Sequence, residues 1–246
     1  ARQAGLQMAP SDIFANQTVA ELAAVSNSET ADLAEQGLVT GSVPLTPIQK
    51  WFFAQDSTEP NNWNQSLWLD LAADLNVAAF SAALQHLLTQ HDALRLRFQR
   101  TESGWQQMLP ESATAVPVHN IDLSKLPESE RERKMEQTAI ALEGSLSLEN
   151  GQLVQTALFH FVPDLPVRLF ITVHHLAIDG VSWRPLLEDL ESAYQQICQD
   201  KAVNLPQKSS SFKQWAERLQ AFSQSPSVSA AALFWANNLG QNALLR

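Results

Sequence analysis

The amino-acid sequence predicts an α/β fold in which strands and helices pack as a sandwich. Residues 67–71 (Leu-Trp-Leu-Asp-Leu) and 94–98 (Leu-Arg-Leu-Arg-Phe) alternate apolar and polar side chains, which is typical of half-buried strands. Residues 77–90 instead carry their apolar side chains on one helical stripe. The chain has 246 residues, 45% of them hydrophobic, and is therefore long enough to bury a sizeable core.

The other elements follow along the chain from residue 44. Thr46, Pro47 and Gln49 have the spacing of an N-cap, an N1 proline and an N3 glutamine, so a helix is expected to begin there. Further strands are predicted at residues 104–109, 116–121, 153–161 and 167–173, with a hairpin turn at 162–166. Further helices are predicted at residues 127–142, 182–197, 211–222 and 230–239.

Composition and patterning divide the chain into three segments. Residues 1–25 predict a loop and a short helix, in which Thr18 and Glu21 have the spacing of a capping box. Residues 26–40 are rich in Ser, Glu, Ala and Thr and predict a linker. The main domain is expected at residues 41–246. Because 25 residues cannot bury a core, we expect the first segment to be partly disordered or docked.

Composition narrows the classes of function. A formal net charge of −10 disfavours binding to nucleic acid or to an anionic membrane. No run of 18 apolar residues and no signal-peptide pattern is found in the sequence. Cys198 is the single cysteine, which excludes an internal disulfide and suits a reducing compartment. The sequence therefore predicts a cytoplasmic protein in which Cys198 has no functional role.

The most informative segment is His174-His175 at the end of a predicted strand, followed four residues later by Asp179-Gly180. Histidine has an ordinary pKa near 6.5, which suits proton transfer at neutral pH. Since neighbouring side chains of a strand point to opposite faces, one histidine is expected to face a cleft and the other to brace the scaffold. Asp179-Gly180 predicts a turn in which Gly180 supplies a positive φ.

Structural interpretations of these residues stay open at this point. A histidine on an apolar strand is commonly a hydrogen-bonded core residue, and Asp-Gly is commonly a simple turn. A metal site is disfavoured, because ligands normally share a face and no other His/Cys cluster lies near. The sequence also has no glycine-rich phosphate loop and no lysine in a context that suggests pyridoxal chemistry.

The complete motif at residues 174–184 favours a functional interpretation over a purely structural one. His-His, three residues and Asp-Gly at 174–180 resembles the signature of the condensation-domain superfamily of nonribosomal peptide synthetases. The extension Val-Ser-Trp-Arg at 181–184 resembles its epimerization branch. Three further segments resemble motifs of the superfamily in the family's order: residues 44–53, 90–98 and 211–219. The resemblance covers roughly residues 41 to 240.

This resemblance implies a fold and an activity. The fold would be a chloramphenicol-acetyltransferase-like lobe, the first of two, with the active site in the cleft between the lobes. The activity would be L-to-D epimerization at Cα of an aminoacyl or peptidyl thioester, delivered by phosphopantetheine on a partner carrier domain. The lobe itself would bind no cofactor or metal. Residues 1–25 resemble the C-terminal tail of a peptidyl carrier domain. The second lobe, which would add a glutamate, is not matched within this chain.

The resemblance also implies roles for individual residues. His175 would be catalytic, as base or acid, and His174 structural. Arg95 would pair with Asp179 and brace the histidine loop, while Ser182 and Trp183 would shape the cleft. Two alternatives remain: a condensation domain that forms peptide bonds, or a carrier-docking fragment without turnover. In each case the expected partners are a carrier domain, the second lobe and other synthetase modules, with neither nucleic acid nor membrane.

Overall fold

The computed structural model describes residues 10–26, 35–162 and 165–238. Its helices are α1 (Pro10–Ala15), α2 (Val19–Val25), α3 (Pro47–Ala54), α4 (Val77–Gln90), α5 (Glu128–Glu143), α6 (Trp183–Cys198), α7 (Phe212–Ser223) and α8 (Pro226–Asn238). Its strands are β1 (Gly41–Val43), β2 (Asn64–Leu71), β3 (Arg97–Thr101), β4 (Gly104–Leu109), β5 (Val118–Asp122), β6 (Val154–His160) and β7 (Val167–His174). A 3₁₀ turn spans Asp92–Arg95. This mixture confirms the α/β prediction.

The larger sheet has the strand order β2-β7-β6-β5. Strands β2, β7 and β6 pair antiparallel, whereas β5 runs parallel to β6. Helices α4 and α6 cover one face of this sheet, and α5 packs on the opposite face. Because each strand alternates its side chains between the two faces, the sheet supplies two separate apolar layers. This is the predicted sandwich.

The core residues show the alternation directly. On β7, Leu169, Ile171 and Val173 join the layer under α4 and α6, while Phe170 joins the layer under α5. The layer under α4 includes the stripe that the helical periodicity predicts: Phe80, Leu84, Leu87 and Leu88. Helix α5 is charged along most of its length and buries only Met135, Ala139 and Leu142, as expected for a helix with one solvated face.

A smaller antiparallel sheet, β1-β4-β3, carries a third apolar cluster with α3. The helix start is confirmed at Thr46, which forms a capping box with Gln49 behind Pro47 at the first turn. The carboxamide oxygen of Gln49 accepts the Thr46 N–H at 2.9 Å and the Gln107 Nε2–H at 2.8 Å. One buried glutamine therefore caps the helix and ties it to β4.

The prediction of a strand over residues 94–98 is wrong in its first half. Residues Asp92–Arg95 form a 3₁₀ turn, and the strand begins at Arg97. Arg95 is 3% exposed although the alternation places it on the solvent side of a strand. The reason is an internal carboxylate: Arg95 donates to Asp92 three residues earlier, which suits a helical turn and not an extended segment.

The N-terminal segment contains the predicted cap. Thr18 and Glu21 form a capping box at the start of α2, and no residue of α2 is buried. The predictions for residues 1–9 and 27–34, and the centre of the turn at 162–166, lie outside the described residues. The assignment of residues 1–25 to a carrier domain and of 26–40 to a linker stays a prediction. Among the described residues, no helix combines the length and the apolarity needed to cross a membrane.

Candidate functional site

The register between β2 and β7 places the two histidines. Asn64 lies opposite His174, so Trp63 lies opposite His175 just beyond the strand end, where the His175 N–H donates to the Trp63 carbonyl at 2.8 Å. The His174 N–H donates to the Leu153 carbonyl at 2.9 Å. Strand β7 ends at His174, and His175 begins a turn in which the His174 carbonyl accepts the Ala177 N–H at 2.9 Å. Their side chains lie on opposite faces, as predicted, since His174 contacts Pro60 whereas His175 contacts Gln65.

His174 is fully buried and held at both ring nitrogens. Its Nε2 lies 2.9 Å from the Pro60 carbonyl, which can only accept, so Nε2 carries the proton. Its Nδ1 accepts the Leu176 N–H at 3.1 Å. Burial lowers the pKa of His174, against the opposing effect of the Pro60 carbonyl. The ring is therefore a neutral crosslink between the 60 loop and the histidine loop, which fits the predicted structural role.

His175 is half-buried and has the opposite tautomer. Its Nδ1 lies 2.8 Å from the Ile178 carbonyl, so Nδ1 carries the proton. Its Nε2 lies 3.2 Å from Nε2 of Gln65, an amide donor, and therefore presents its lone pair. The Trp63 ring meets the imidazole edge to face, with centroids 5.9 Å apart. A neutral imidazole whose unprotonated nitrogen is Nε2 can accept a proton there once the Gln65 contact is released.

Gln65 is a site residue that the sequence motifs do not predict. Its carboxamide oxygen accepts the indole N–H of Trp183 at 2.8 Å, and its nitrogen donates to His175. Gln65 lies opposite Val173 on the strand register, on the same face as His175. In the sequence, only the position of Gln65 could have pointed to the site. It continues the inward-facing row of Leu67, Leu69 and Leu71 with a polar side chain.

Trp183 lies at the first turn of α6 and is 8% exposed. Its ring joins the apolar layer under α4 and α6, and its N–H is the group that orients Gln65. From the sequence alone, this tryptophan could shape the cleft or only pack. In the structure its packing fixes the ring, and the ring in turn fixes the amide beside His175.

Asp179 organises the loop by local contacts. Its Oδ1 accepts three hydrogen bonds, from the Val181 N–H at 3.1 Å, the Ser182 N–H at 2.8 Å and the Ser182 hydroxyl at 2.7 Å. These bonds, first those from Ser182, lower the pKa of Asp179. Ser182 occupies the N-cap position of α6, yet its hydroxyl serves Asp179 and makes no helix cap. The carboxylate itself closes the turn before the helix.

Two predictions for this loop are wrong. Gly180 does not have a positive φ, because the turn is closed by the Asp179 side chain and needs no left-handed residue. A Cβ at Gly180 would meet no heavy atom within 4 Å. The predicted pair between Arg95 and Asp179 is also absent: Asp179 is exposed, and its oxygen is engaged by its own loop.

Arg95 belongs to a different, buried ionic cluster. Its Nη2 donates to Asp92 at 2.6 Å and to the Val39 carbonyl at 3.1 Å. Asp92 also accepts from Lys208 at 3.0 Å, and Lys208 reaches the Gly37 carbonyl at 2.8 Å. The Asp92 side chain is 3% exposed, and those of Arg95 and Lys208 are 1% and 5% exposed. This cluster joins the chain before β1 to the loop before α7.

A cavity of about 570 Å³ lies beside this cluster and behind the histidine loop. Its walls come from the 3₁₀ turn, the start of α6 and the loop at 206–211, and include Ile178, Ser182 and Trp215. In the part of the chain that the structure describes, no three His, Cys, Asp or Glu side chains approach closely enough to hold a metal ion.

Comparison with known proteins shows which family the sequence matches. The Condensation domain family model matches residues 39–245. A linear gramicidin synthase subunit of Brevibacillus parabrevis is 43% identical over 98% of this chain and 3% of its own length. Chondramide synthase cmdD of Chondromyces crocatus is 41% identical over 94% of this chain and 6% of its own length. The chain thus spans a small fraction of these synthases.

Solved structures agree on the fold. The epimerization domain from the third module of tyrocidine synthetase B superposes with a TM-score of 0.79 at 33% identity, over 86% of this chain and 46% of that one. The starter condensation domain of rhizomide synthetase gives 0.69 at 18% identity, over 82% of this chain and 48% of that one. The second likeness shows the fold alone. With the family model matching most of its length, the chain belongs to the Condensation domain family of nonribosomal peptide synthetases.

Proposed function

We propose that this chain is the first lobe of an epimerization domain, which inverts Cα of an aminoacyl or peptidyl thioester held on a carrier domain. The observation that carries the proposal is the half-buried His175, whose Nε2 lone pair is directed away from the Ile178 anchor and toward an amide donor. An imidazole held in this way accepts a proton without first changing its tautomer.

The chemistry is proton transfer next to a thioester carbonyl. The Cα–H bond breaks, its electron pair moves onto the carbonyl as an enolate, and the proton goes to Nε2 of His175. Return of a proton from an opposing group to the other face of Cα completes the inversion. A positioned acid or base contributes about 10²–10⁴-fold to such a step. Phosphopantetheine on the carrier would present the thioester, and no residue of this lobe needs to bind a separate cofactor.

The opposing group is proposed to come from a second lobe. The chain covers 46% of the epimerization domain that it resembles, so about half of a complete domain is unmatched. A base on one face of Cα can remove a proton but cannot return one to the opposite face. Residues 1–25 are proposed to be the end of the carrier domain that delivers the substrate, joined through residues 26–40.

The sequence relationship favours epimerization over condensation. The epimerization domain shares 33% identity with this chain, whereas the starter condensation domain shares 18%. Trp183 of the Val-Ser-Trp-Arg extension also has a defined task, since it orients the amide next to His175. The family description keeps condensation as a second candidate, in which the same imidazole would assist attack of an amine on an acyl thioester.

One experiment separates the two functions. The two-lobed domain containing this chain is supplied with an L-aminoacyl carrier in D₂O, with or without a second aminoacyl carrier. Epimerization predicts deuterium at Cα and a D,L mixture with one carrier alone. A dipeptidyl thioester formed only with both carriers, without deuterium at Cα, would overturn the proposal in favour of condensation.

A further inference from the structure

The hydrogen bonds around His175 have only one consistent direction. The Trp183 indole can only donate, so it fixes the oxygen of the Gln65 amide on its own side at 2.8 Å. The amide nitrogen then faces Nε2 of His175 at 3.2 Å. At the other end, the Ile178 carbonyl can only accept, at 2.8 Å from Nδ1. No alternative assignment of protons satisfies all three contacts.

We infer that Gln65 is a positioning residue that fixes the tautomer of the neutral His175 ring, with Nδ1 protonated and Nε2 unprotonated. A hydrogen on Nε2 would point at the N–H₂ of Gln65, so this contact requires Nε2 to be the acceptor. Packing prevents the amide from turning, because Trp183 is buried in the layer under α4 and α6. The substrate must therefore displace the Gln65 contact when it brings its Cα–H to Nε2.

This assignment goes beyond the family signature, since Gln65 lies on β2, 110 residues before His175. Its consequence for catalysis rests on the proposed function: His175 would enter the reaction as the base. The tautomer itself does not depend on that proposal. His174 and Asp179 each have an electrostatic interaction with His175, and neither residue is changed in the test below.

The test is a pH titration of the histidine ring nitrogens by ¹⁵N NMR, on the 246-residue chain. His175 resonances are identified by their loss in His175→Ala. The wild-type spectrum should show Nδ1–H and an unprotonated Nε2 for His175. Gln65→Glu should carry the His175 midpoint upward by about one pH unit or more, because a carboxylate now faces Nε2. Trp183→Phe should move it in the same direction, since the freed amide can present its oxygen.

Gln99→Glu is the matched control, because it adds the same charge on an exposed position of the other sheet and should leave the His175 midpoint in place. Gln65→Leu separates charge from packing and should move the midpoint less than Gln65→Glu. The inference is overturned if His175 is protonated at Nε2 in the neutral wild type, or if Gln65→Glu and Gln99→Glu titrate alike. Failure of the wild-type two-lobed domain to exchange Cα protons, with the titrations of the 246-residue chain as expected, would instead refute the proposed function.

Discussion

The two adjacent histidines show how one strand end serves two purposes. His174 lies on the face toward α5, is fully buried, and has both ring nitrogens engaged by backbone groups. His175 lies on the face toward α4 and α6, half-buried, with one nitrogen bound to backbone and the other to a side-chain amide. Their tautomers are opposite. The partner atoms, and not the residue type, therefore decide which histidine can take up a proton.

Asp92 and Asp179 differ in the same way, in their burial and in the partners of their carboxylates. Asp92 is buried between two cations and joins distant segments, whereas Asp179 is exposed and accepts bonds from its own loop. The family resemblance implies one bracing pair, Arg95 with Asp179, whereas in the structure Arg95 and Asp179 belong to two separate sets of contacts. The histidine loop is therefore shaped locally, and the buried cluster holds the lobe together at some distance from it.

The largest expected effect separates the histidines by activity. His175→Ala in the two-lobed domain should lower Cα deuterium exchange by about 10²–10⁴-fold, because the proton acceptor is gone. Its free energy of unfolding should change by no more than about 1 kcal/mol, since the side chain is only half-buried. Exchange is measured by mass spectrometry of the released amino acid and stability by urea denaturation. Exchange at the wild-type rate would remove His175 from the mechanism.

Breaking the buried cluster should have the largest effect on stability. Asp92→Asn leaves Arg95 and Lys208 without their counter-charge, and should lower the free energy of unfolding by about 3–5 kcal/mol. Asp70→Asn is the matched control, because its ion pair with Arg168 is exposed and should contribute little. Urea denaturation compares the two variants. Equal, small losses would contradict the bracing role of Asp92.

A double-mutant cycle tests whether Arg95 of the buried cluster and Asp179 of the histidine loop act independently on stability. Arg95→Met and Asp179→Asn should be additive in the free energy of unfolding to within about 0.5 kcal/mol, because the residues share no partner. A coupling of about 1 kcal/mol or more, on the order expected for a direct ion pair, would support the Arg95–Asp179 pair that the family resemblance implies.

The buried histidine should give stability a characteristic pH dependence. Since the pKa of His174 is lowered in the folded state, the unfolded chain binds a proton first as the pH falls through the ordinary value of 6.5. The stabilisation that comes from the buried neutral His174 is thus complete above pH 6.5. It is lost progressively as the pH falls from 6.5 to the pKa of His174 in the folded state. His174→Gln, which cannot titrate, should flatten this part of the stability curve. A slope between about pH 7 and pH 5 that is the same in both proteins would exclude this role of His174.

The smallest expected effect concerns the loop carboxylate. Asp179→Ala removes the acceptor for two backbone N–H groups and a hydroxyl, and should cost about 1 kcal/mol of stability, with lower exchange activity because Ile178 and His175 lose their fixed geometry. Asp179→Asn keeps an acceptor oxygen and should retain most of both properties. Equal loss of activity in the two variants would point to a role for the negative charge itself.

Much of the fold is predictable because local patterns decide it. The capping boxes at Thr18 and Thr46, the helix Val77–Gln90 and the strand that ends at His174 all follow from short-range spacing. The opposite faces of His174 and His175 also agree with strand alternation, although β7 ends at His174 and His175 already lies in the turn.

The remaining features depend on contacts between distant segments. Strand alternation misplaces Arg95 because a buried Asp92 three residues earlier turns the backbone, and Lys208, which completes the cluster, has no local signal. Gln65 escapes detection because its function depends on Trp183, 118 residues later. The sequence motifs thus point to His175, the proposed proton acceptor, whereas the side chains that contact its ring are brought there by the fold.

Replacing each histidine by the same residue tests the division of roles most directly. His174→Asn and His175→Asn are compared for deuterium incorporation at Cα of a carrier-bound aminoacyl thioester, at a temperature where circular dichroism shows both folded. We expect His175→Asn to lose exchange and His174→Asn to retain it at lowered thermal stability. Full exchange in the two-lobed domain carrying His175→Asn would contradict the assignment of His175 as the proton acceptor.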